Sequence, residues 1–323
     1  MMETNNRFYF IDILKAFAAL IIVNSHFDSL YPISALATGG AIGNALFFAV
    51  SGFLMFPIKQ SAGEWMKKKL ENIYIPLVPM TVISLFTVKY GVLTRTNIFA
   101  VFVWPTIYWF AGAIILFYIL YYLLRRMVSQ KAFAITFLIL VMIYFAYYIF
   151  LLDTSGWVVE SSGLSSVDGC FKLIYYFMAM LMGKWFRVNS SRPFPHKWLY
   201  LLQIIISFGA IYAVKFLMVR IPAFYSVQFL NQFCILWLVC AAFCFLIACE
   251  PLIREKLTGR RGINAIICFL GSHTLEMYLV QFIVIDYCAE LSFPVNVLAA
   301  MLLIIGAAHL LHLYTERIKK LLK

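Results

Sequence analysis

Charge is the scarcest feature of this sequence. Only 12% of its 323 residues are Asp, Glu, Lys or Arg, about half the share of a soluble domain, while 64% are hydrophobic. That composition excludes an ordinary soluble enzyme and a disordered chain, and leaves an integral membrane protein. Acid is scarcer than base: 14 Asp+Glu stand against 26 Lys+Arg, a formal net charge of +12. In a soluble chain this excess would suggest nucleic acid. Here its first meaning is membrane orientation, and no nucleic-acid partner is expected. Cysteine offers no CxxC pair. Cys234, Cys240, Cys244, Cys249, Cys268 and Cys288 lie in or at the ends of apolar runs, as packing thiols do, and no metal is expected. No small-residue cleavage site closes the first apolar run, which carries Asp12 and Lys15, so it does not read as a cleaved signal. Linkers and internal repeats are also missing. Residues 1–323 are therefore expected to form a single integral-membrane domain with no additional soluble domain.

Long apolar runs are what the sequence has in quantity. A helix needs about 20 apolar residues to cross the hydrocarbon core. Ten segments qualify: 8–27, 38–57, 73–93, 98–124, 132–152, 168–186, 198–219, 227–249, 263–288 and 293–314. The sixth is the weakest, since Lys172 and Lys184 shorten its clean stretch. With the N-terminus in the cytosol, most Lys and Arg residues fall in cytosolic segments: 58–72, 125–131, 184–197, 254–261 and the tail from 315. Lys89, Arg95, Lys172, Lys215 and Arg220 fall on the other side, with Asp28, Asp153, Glu160, Asp168 and Glu290. The fold class is thus all-α: a polytopic membrane bundle of about ten transmembrane helices with both termini cytosolic. The Ser/Gly-rich loop at about 153–167 is read as a surface connector.

Ionisable groups at membrane depth are costly, so each is a functional candidate. The first segment carries Asp12 and Lys15, three apart and able to pair. His26 follows eleven residues after Lys15, about three helical turns, so all three share one stripe. The plainer readings are a snorkelling pair at the interface and an inert, hydrogen-bonded histidine. Ser51-Gly52 in the second segment is first a close-packing device. The run Lys67-Lys68-Lys69 before Asn72 would hold phosphates or headgroups, or simply set orientation. Tyr108-Trp109-Phe110 would most often belong to an interfacial aromatic belt. Glu276, three residues from His273, should lie within the bilayer and needs a partner or a proton. His309 and His312 read as interfacial histidines rather than as a metal pair.

These residues resemble, in order along nearly the whole chain, the motifs of acyltransferase family 3, membrane O-acyltransferases of bacterial surface polysaccharides and related glycans. The family's Asp-x-x-Arg/Lys, then His with ten residues between, is matched by Asp12, Lys15 and His26. Its Phe-Phe-x-x-Ser-Gly-Phe is matched from Phe47 and Phe48 through Ser51 to Phe53. Its fourth-helix aromatic pair is similar to Trp109-Phe110, and its Tyr-Leu-x-His to Tyr278-Leu279-Val280-Gln281. Two positions depart: Asn72 stands where the family's second Arg of Arg-x-x-Arg falls after Lys69, and Gln281 replaces the late His. The resemblance implies transfer of an acyl group, most often acetyl, from cytosolic acyl-CoA to a sugar hydroxyl of a polysaccharide or its lipid-linked precursor, in the bacterial inner membrane. It implies His26 as catalytic base or acyl carrier, with Asp12 and Lys15 supporting that helix. Lys15, Lys69, Asn72 and Ser51 would bind the donor, and Phe47, Phe48, Trp109, Phe110, Glu276, Tyr278 and Gln281 would line the pocket. Direct attack and an acyl-histidine intermediate both stay open. The competing readings are a secondary transporter or exporter of a glycan intermediate, and an inactive membrane relative. Against the transporter, Pro76 and Pro79 break the third segment while 227–249 has neither Gly nor Pro.

Overall fold

The computed structural model describes residues 7–87, 98–105, 108–157, 164 and 166–322. Lys89, Arg95, Lys323, the end of the expected third segment at 88–93, and 158–163 with Glu160 and 165 of the Ser/Gly-rich loop lie outside the described residues. Among the described residues the chain is all-helical. Its α-helices are α1 (Tyr9–Asn24), α2 (Gly40–Met55), α3 (Ala62–Thr87), α4 (Trp109–Leu123), α5 (Gln130–Phe150), α6 (Val167–Val188), α7 (Lys197–Arg220), α8 (Phe229–Gly259), α9 (Arg261–Ser272), α10 (Thr274–Cys288) and α11 (Val295–Leu321). Where starts are capped, the caps follow from sequence. Ser61 and Glu64 form a reciprocal capping box at α3, and the Ser129 and Ser166 hydroxyls accept from Ala132 and Gly169 backbone N–H groups at α5 and α6.

Among the described residues, five helices are long and apolar enough to cross a membrane: Ser34–Met55, Gln130–Phe150, Lys197–Arg220, Phe229–Leu257 and Val295–Leu321. A sixth crossing is made if α9 and α10 count as one broken span. The other expected segments differ for a physical reason. The least buried of the five, α5, α7 and α11, face outward, with Leu138, Met142, Ile205, Leu302 and Leu310 exposed, where lipid requires apolar side chains. The helices that carry charge are enclosed by protein. Helix α1 has only 16 residues, and it packs against α2, α8, α9 and α10. Helix α6 turns its two lysines inward. Lys172 lies 5.3 Å from the Trp109 ring, and Lys184 donates to the Leu124 carbonyl between the Tyr121 and Phe56 rings. Those charges lower hydropathy without touching lipid.

The expected ninth segment is two helices. Helices α9 and α10 meet at His273 at an angle of 71°. The Ser272 hydroxyl donates to the Phe269 carbonyl at 2.9 Å, and His273 Nδ1 lies 2.6 Å from the same oxygen. The His273 backbone N–H also donates to this carbonyl at 3.2 Å, so three donors converge on one oxygen where the helix stops.

The Ser51-Gly52 expectation of close approach holds at the crossing of α2 and α6. A Cβ at Gly52 would lie 1.9 Å from the Met180 carbonyl oxygen, and one at Gly183 would lie 1.7 Å from that of Ala49. The two backbones touch, which brings Cα–H groups and carbonyls within weak hydrogen-bond reach. The Tyr121 hydroxyl also donates to the Gly52 carbonyl at 2.7 Å. Gly52→Ala and Gly183→Ala are each expected to lower the thermal unfolding midpoint of the solubilised protein, by about 1–3 kcal/mol in stability or to the point of no folding. Gly306→Ala, whose methyl meets open space, should leave the midpoint unchanged or raise it.

Candidate functional site

Helix α1 presents Asp12, Lys15, Ala19 and Ile22 along one side, at the spacing that keeps residues on a common face. The helix ends at Asn24, and His26 stands in the closing turn, its N–H donating to Val23 O. A narrow cleft of about 10 Å3, room for about one water molecule, is lined by Ala19, Ile22, Phe47, Phe110, Thr274, Leu275 and Tyr278. Its α1 wall is therefore the stretch between Lys15 and His26. The opposite walls come from α2, α4 and the start of α10.

His26 is half-buried, and its ring meets the Phe282 ring edge-on at 5.0 Å between centroids. The segment after it is tied down by Asn24, whose amide donates to the Leu36 and Thr38 carbonyls and accepts from Tyr31. Phe110 packs on Phe47 at 4.8 Å, on Phe48 at 4.7 Å and on Tyr278 at 5.4 Å. Trp109 lies against Tyr176 at 5.5 Å. Trp109 and Phe110 are thus interior side chains, not an interfacial belt. They face α2 and α6, whose aromatic rings fill the bundle core.

The expected Asp12–Lys15 pair does not form. Asp12 Oδ2 accepts from Arg7 Nε at 2.9 Å and Nη2 at 2.8 Å, because the planar guanidinium offers a two-pronged donor that an ammonium cannot. Arg7 also reaches Cys268 of α9. Lys15 makes no hydrogen bond among the described residues and feels Asp12 and Glu276 through space. The first turn of α1 has its own acceptor. Glu250 of α8 takes the backbone N–H groups of Tyr9 at 3.2 Å and Phe10 at 3.0 Å, and Arg254 holds both Glu250 and the Arg7 carbonyl. This is an N-cap supplied from another helix. Sequence reading overlooked Arg7, Glu250 and Cys268. Glu250, one of two acids among the bases that follow the eighth segment, was the available signal.

Glu276 does have a partner: His312 of α11, whose Nδ1 lies 2.8 Å from Oε1. His309 Nδ1 lies 3.1 Å from His273 Nε2. Since His273 Nδ1 faces the Phe269 carbonyl, it carries hydrogen, and Nε2 accepts from His309. Both α11 histidines therefore serve an interior network that ties α11 to the break between α9 and α10. No group of three or more His, Cys, Asp or Glu among the described residues is arranged to hold a metal ion.

Ser51, Lys69 and Asn72 do not line the cleft. Lys69 lies 5.7 Å from the Trp65 ring and 5.6 Å from that of Tyr118. Burial there, with Lys68 adjacent, lowers its ammonium below the ordinary lysine value. Asn72 is exposed, and Ser51 is half-buried beside the Gly52 crossing. Gln281 is completely buried on α10.

The fold and this interior define a membrane-embedded helical protein built around a polar, protein-enclosed helix. The acyltransferase domain of acyltransferase family 3 matches residues 8–311, nearly the whole chain, and the chain belongs to that family. No curated protein and no solved structure matches it.

The buried Glu276–His312 contact yields a measurable coupling. Glu276→Gln and His312→Ala, alone and combined, are expected to show a double-mutant coupling of about 1–3 kcal/mol in unfolding free energy. Additive effects would mean that the contact contributes nothing.

Proposed function

We propose that this protein moves an acyl group, acetyl in the first instance, from acyl-CoA to a sugar hydroxyl of a cell-surface polysaccharide or its lipid-linked precursor. One observation carries the reading: the cleft is walled by the α1 face between Lys15 and His26 and by Phe47, Phe110 and Tyr278, so residues distant in sequence meet where the family's motifs fall. In this reading the bundle sits in the bacterial cytoplasmic membrane, crosses it ten times and keeps both termini in the cytosol. The donor phosphates lie on the Lys15 and Lys69 side, and the thioester extends along the α1 face towards His26.

Acyl transfer needs a base for the hydroxyl, a donor for the developing oxyanion and exclusion of water. His26 is the group whose ordinary pKa suits the first task near neutrality. The acceptor oxygen bonds to the acyl carbon as His26 takes the hydroxyl proton. The C–S bond then breaks, and the imidazolium returns the proton to the CoA sulfur. Aromatic walls keep water from the thioester. In the carrier variant, His26 nitrogen first takes the acyl group itself. Asn72, exposed on α3, leaves Lys69 as a point charge for phosphate, without a two-pronged partner.

One feature favours the transporter alternative: the discontinuous helix at His273, a device such proteins use at substrate sites. The test uses the purified protein in lipid with radiolabelled acetyl-CoA and envelope glycans. Wild type is expected to transfer label, and His26→Ala to lose turnover by about 10²-fold or more with donor binding retained. Label left on the protein without acceptor would identify the carrier variant. Wild type that neither binds donor nor turns over would overturn the reading.

A further inference from the structure

Gln281 is 0% exposed, and neither its amide nitrogen nor its amide oxygen has a hydrogen-bond partner among the described residues. A buried amide left in that state costs about 1–3 kcal/mol, so a partner from outside the chain would relieve it. Its place on α10 shows where such a partner would come from. Thr274, Tyr278 and Gln281 follow at i, i+4 and i+7, which puts them on one side of the helix. Thr274 and Tyr278 both line the cleft. Phe282, the next residue, packs edge-on against His26 at 5.0 Å and against Tyr278 at 5.8 Å. Helix α10 thus runs from the cleft to His26, and Gln281, which does not itself line the cleft, lies buried on the same side of the helix about one turn beyond Tyr278.

An amide suits one task in acyl transfer in particular. It donates N–H without titrating, so its donor capacity is constant across pH. It sits in an apolar setting, where a hydrogen bond to a developing charge is worth most. We infer that the Gln281 side-chain N–H binds the carbonyl oxygen of the acyl thioester and holds the negative charge that forms there during transfer. The inference rests on the acyltransferase reading. As the acceptor oxygen bonds to the acyl carbon, the carbonyl π electrons move to oxygen and the Gln281 hydrogen bond strengthens. When the C–S bond breaks the C=O bond is restored, and the hydroxyl proton passes through His26 to the sulfur. Atoms and charge balance without a further reactant.

The inference predicts that stability and activity separate. Gln281→Leu and Gln281→Met, in the full chain in lipid, remove an unpaired buried amide at nearly constant volume. Their thermal midpoints should therefore equal or exceed wild type. The KM for acetyl-CoA should stay within about threefold, while kcat falls about 10²-fold, the usual loss of one oxyanion donor. A folded Leu or Met variant with kcat within about twofold of wild type would overturn the assignment. A midpoint that falls together with kcat in both variants would make the amide structural and overturn it equally. Turnover that His26→Ala abolishes and Gln281→Leu keeps would remove this inference alone. A wild type without turnover would remove the acyltransferase reading and the inference with it.

Discussion

Everything in this protein depends on shielding one charged helix from lipid. Helix α1 carries Asp12 and Lys15 within 16 residues, and an unshielded charge at membrane depth costs several kcal/mol. The bundle answers with neighbours on several sides and with specific bonds. Glu250 caps the first turn, Arg7 holds Asp12, and Gly271 lets α9 approach until an added Cβ would stand 3.2 Å from the Asp12 carbonyl. A second close approach at Gly52 and Gly183 draws α2 and α6 together, and Phe48 of α2 packs on Phe110 and Tyr176. The aromatic wall follows from that spacing.

The electrostatics follow the same plan. Asp12 and Glu250 pair with bases close to them in sequence, Arg7 and Arg254, and Glu276 meets His312 of another helix. Bonds of this kind are laid between helices: Arg7 links α1 to α9, Glu250 links α8 to α1, and His312 links α11 to α10. In an apolar setting such contacts resist being broken one partner at a time. The polar groups therefore also fix how the helices meet around the cleft.

Much of this was legible in the sequence, and what was not has physical causes. Apolar runs located most helices to within a few residues, because lipid-facing helices such as α5 and α11 must be apolar along their length. The count of crossings was less legible: α1 is apolar but only 16 residues long, and α6 carries Lys172 and Lys184. The α1 face was readable from 3.6-residue periodicity, and Ser51-Gly52 from side-chain size. The pairing of Asp12 was not. Lys15 is near in sequence, but Arg7 has the better donor geometry, and its position follows from Cys268, far along the chain. The break at His273 was hidden because it falls inside an apolar run that has no proline to mark it. Trp109 and Phe110 looked interfacial because composition alone does not tell which way a helix turns.

The outward placement of α5, α7 and α11 has a mechanical consequence. Bilayers differ in thickness and deform, and a protein accommodates the mismatch by tilting the helices that touch lipid. Here those helices turn most of their apolar surface outward, while α1 and α2, which bears Phe47 and Phe48, are braced against each other. Tilting of those outer helices takes up strain from the surrounding membrane before it reaches the α1–α2 contact.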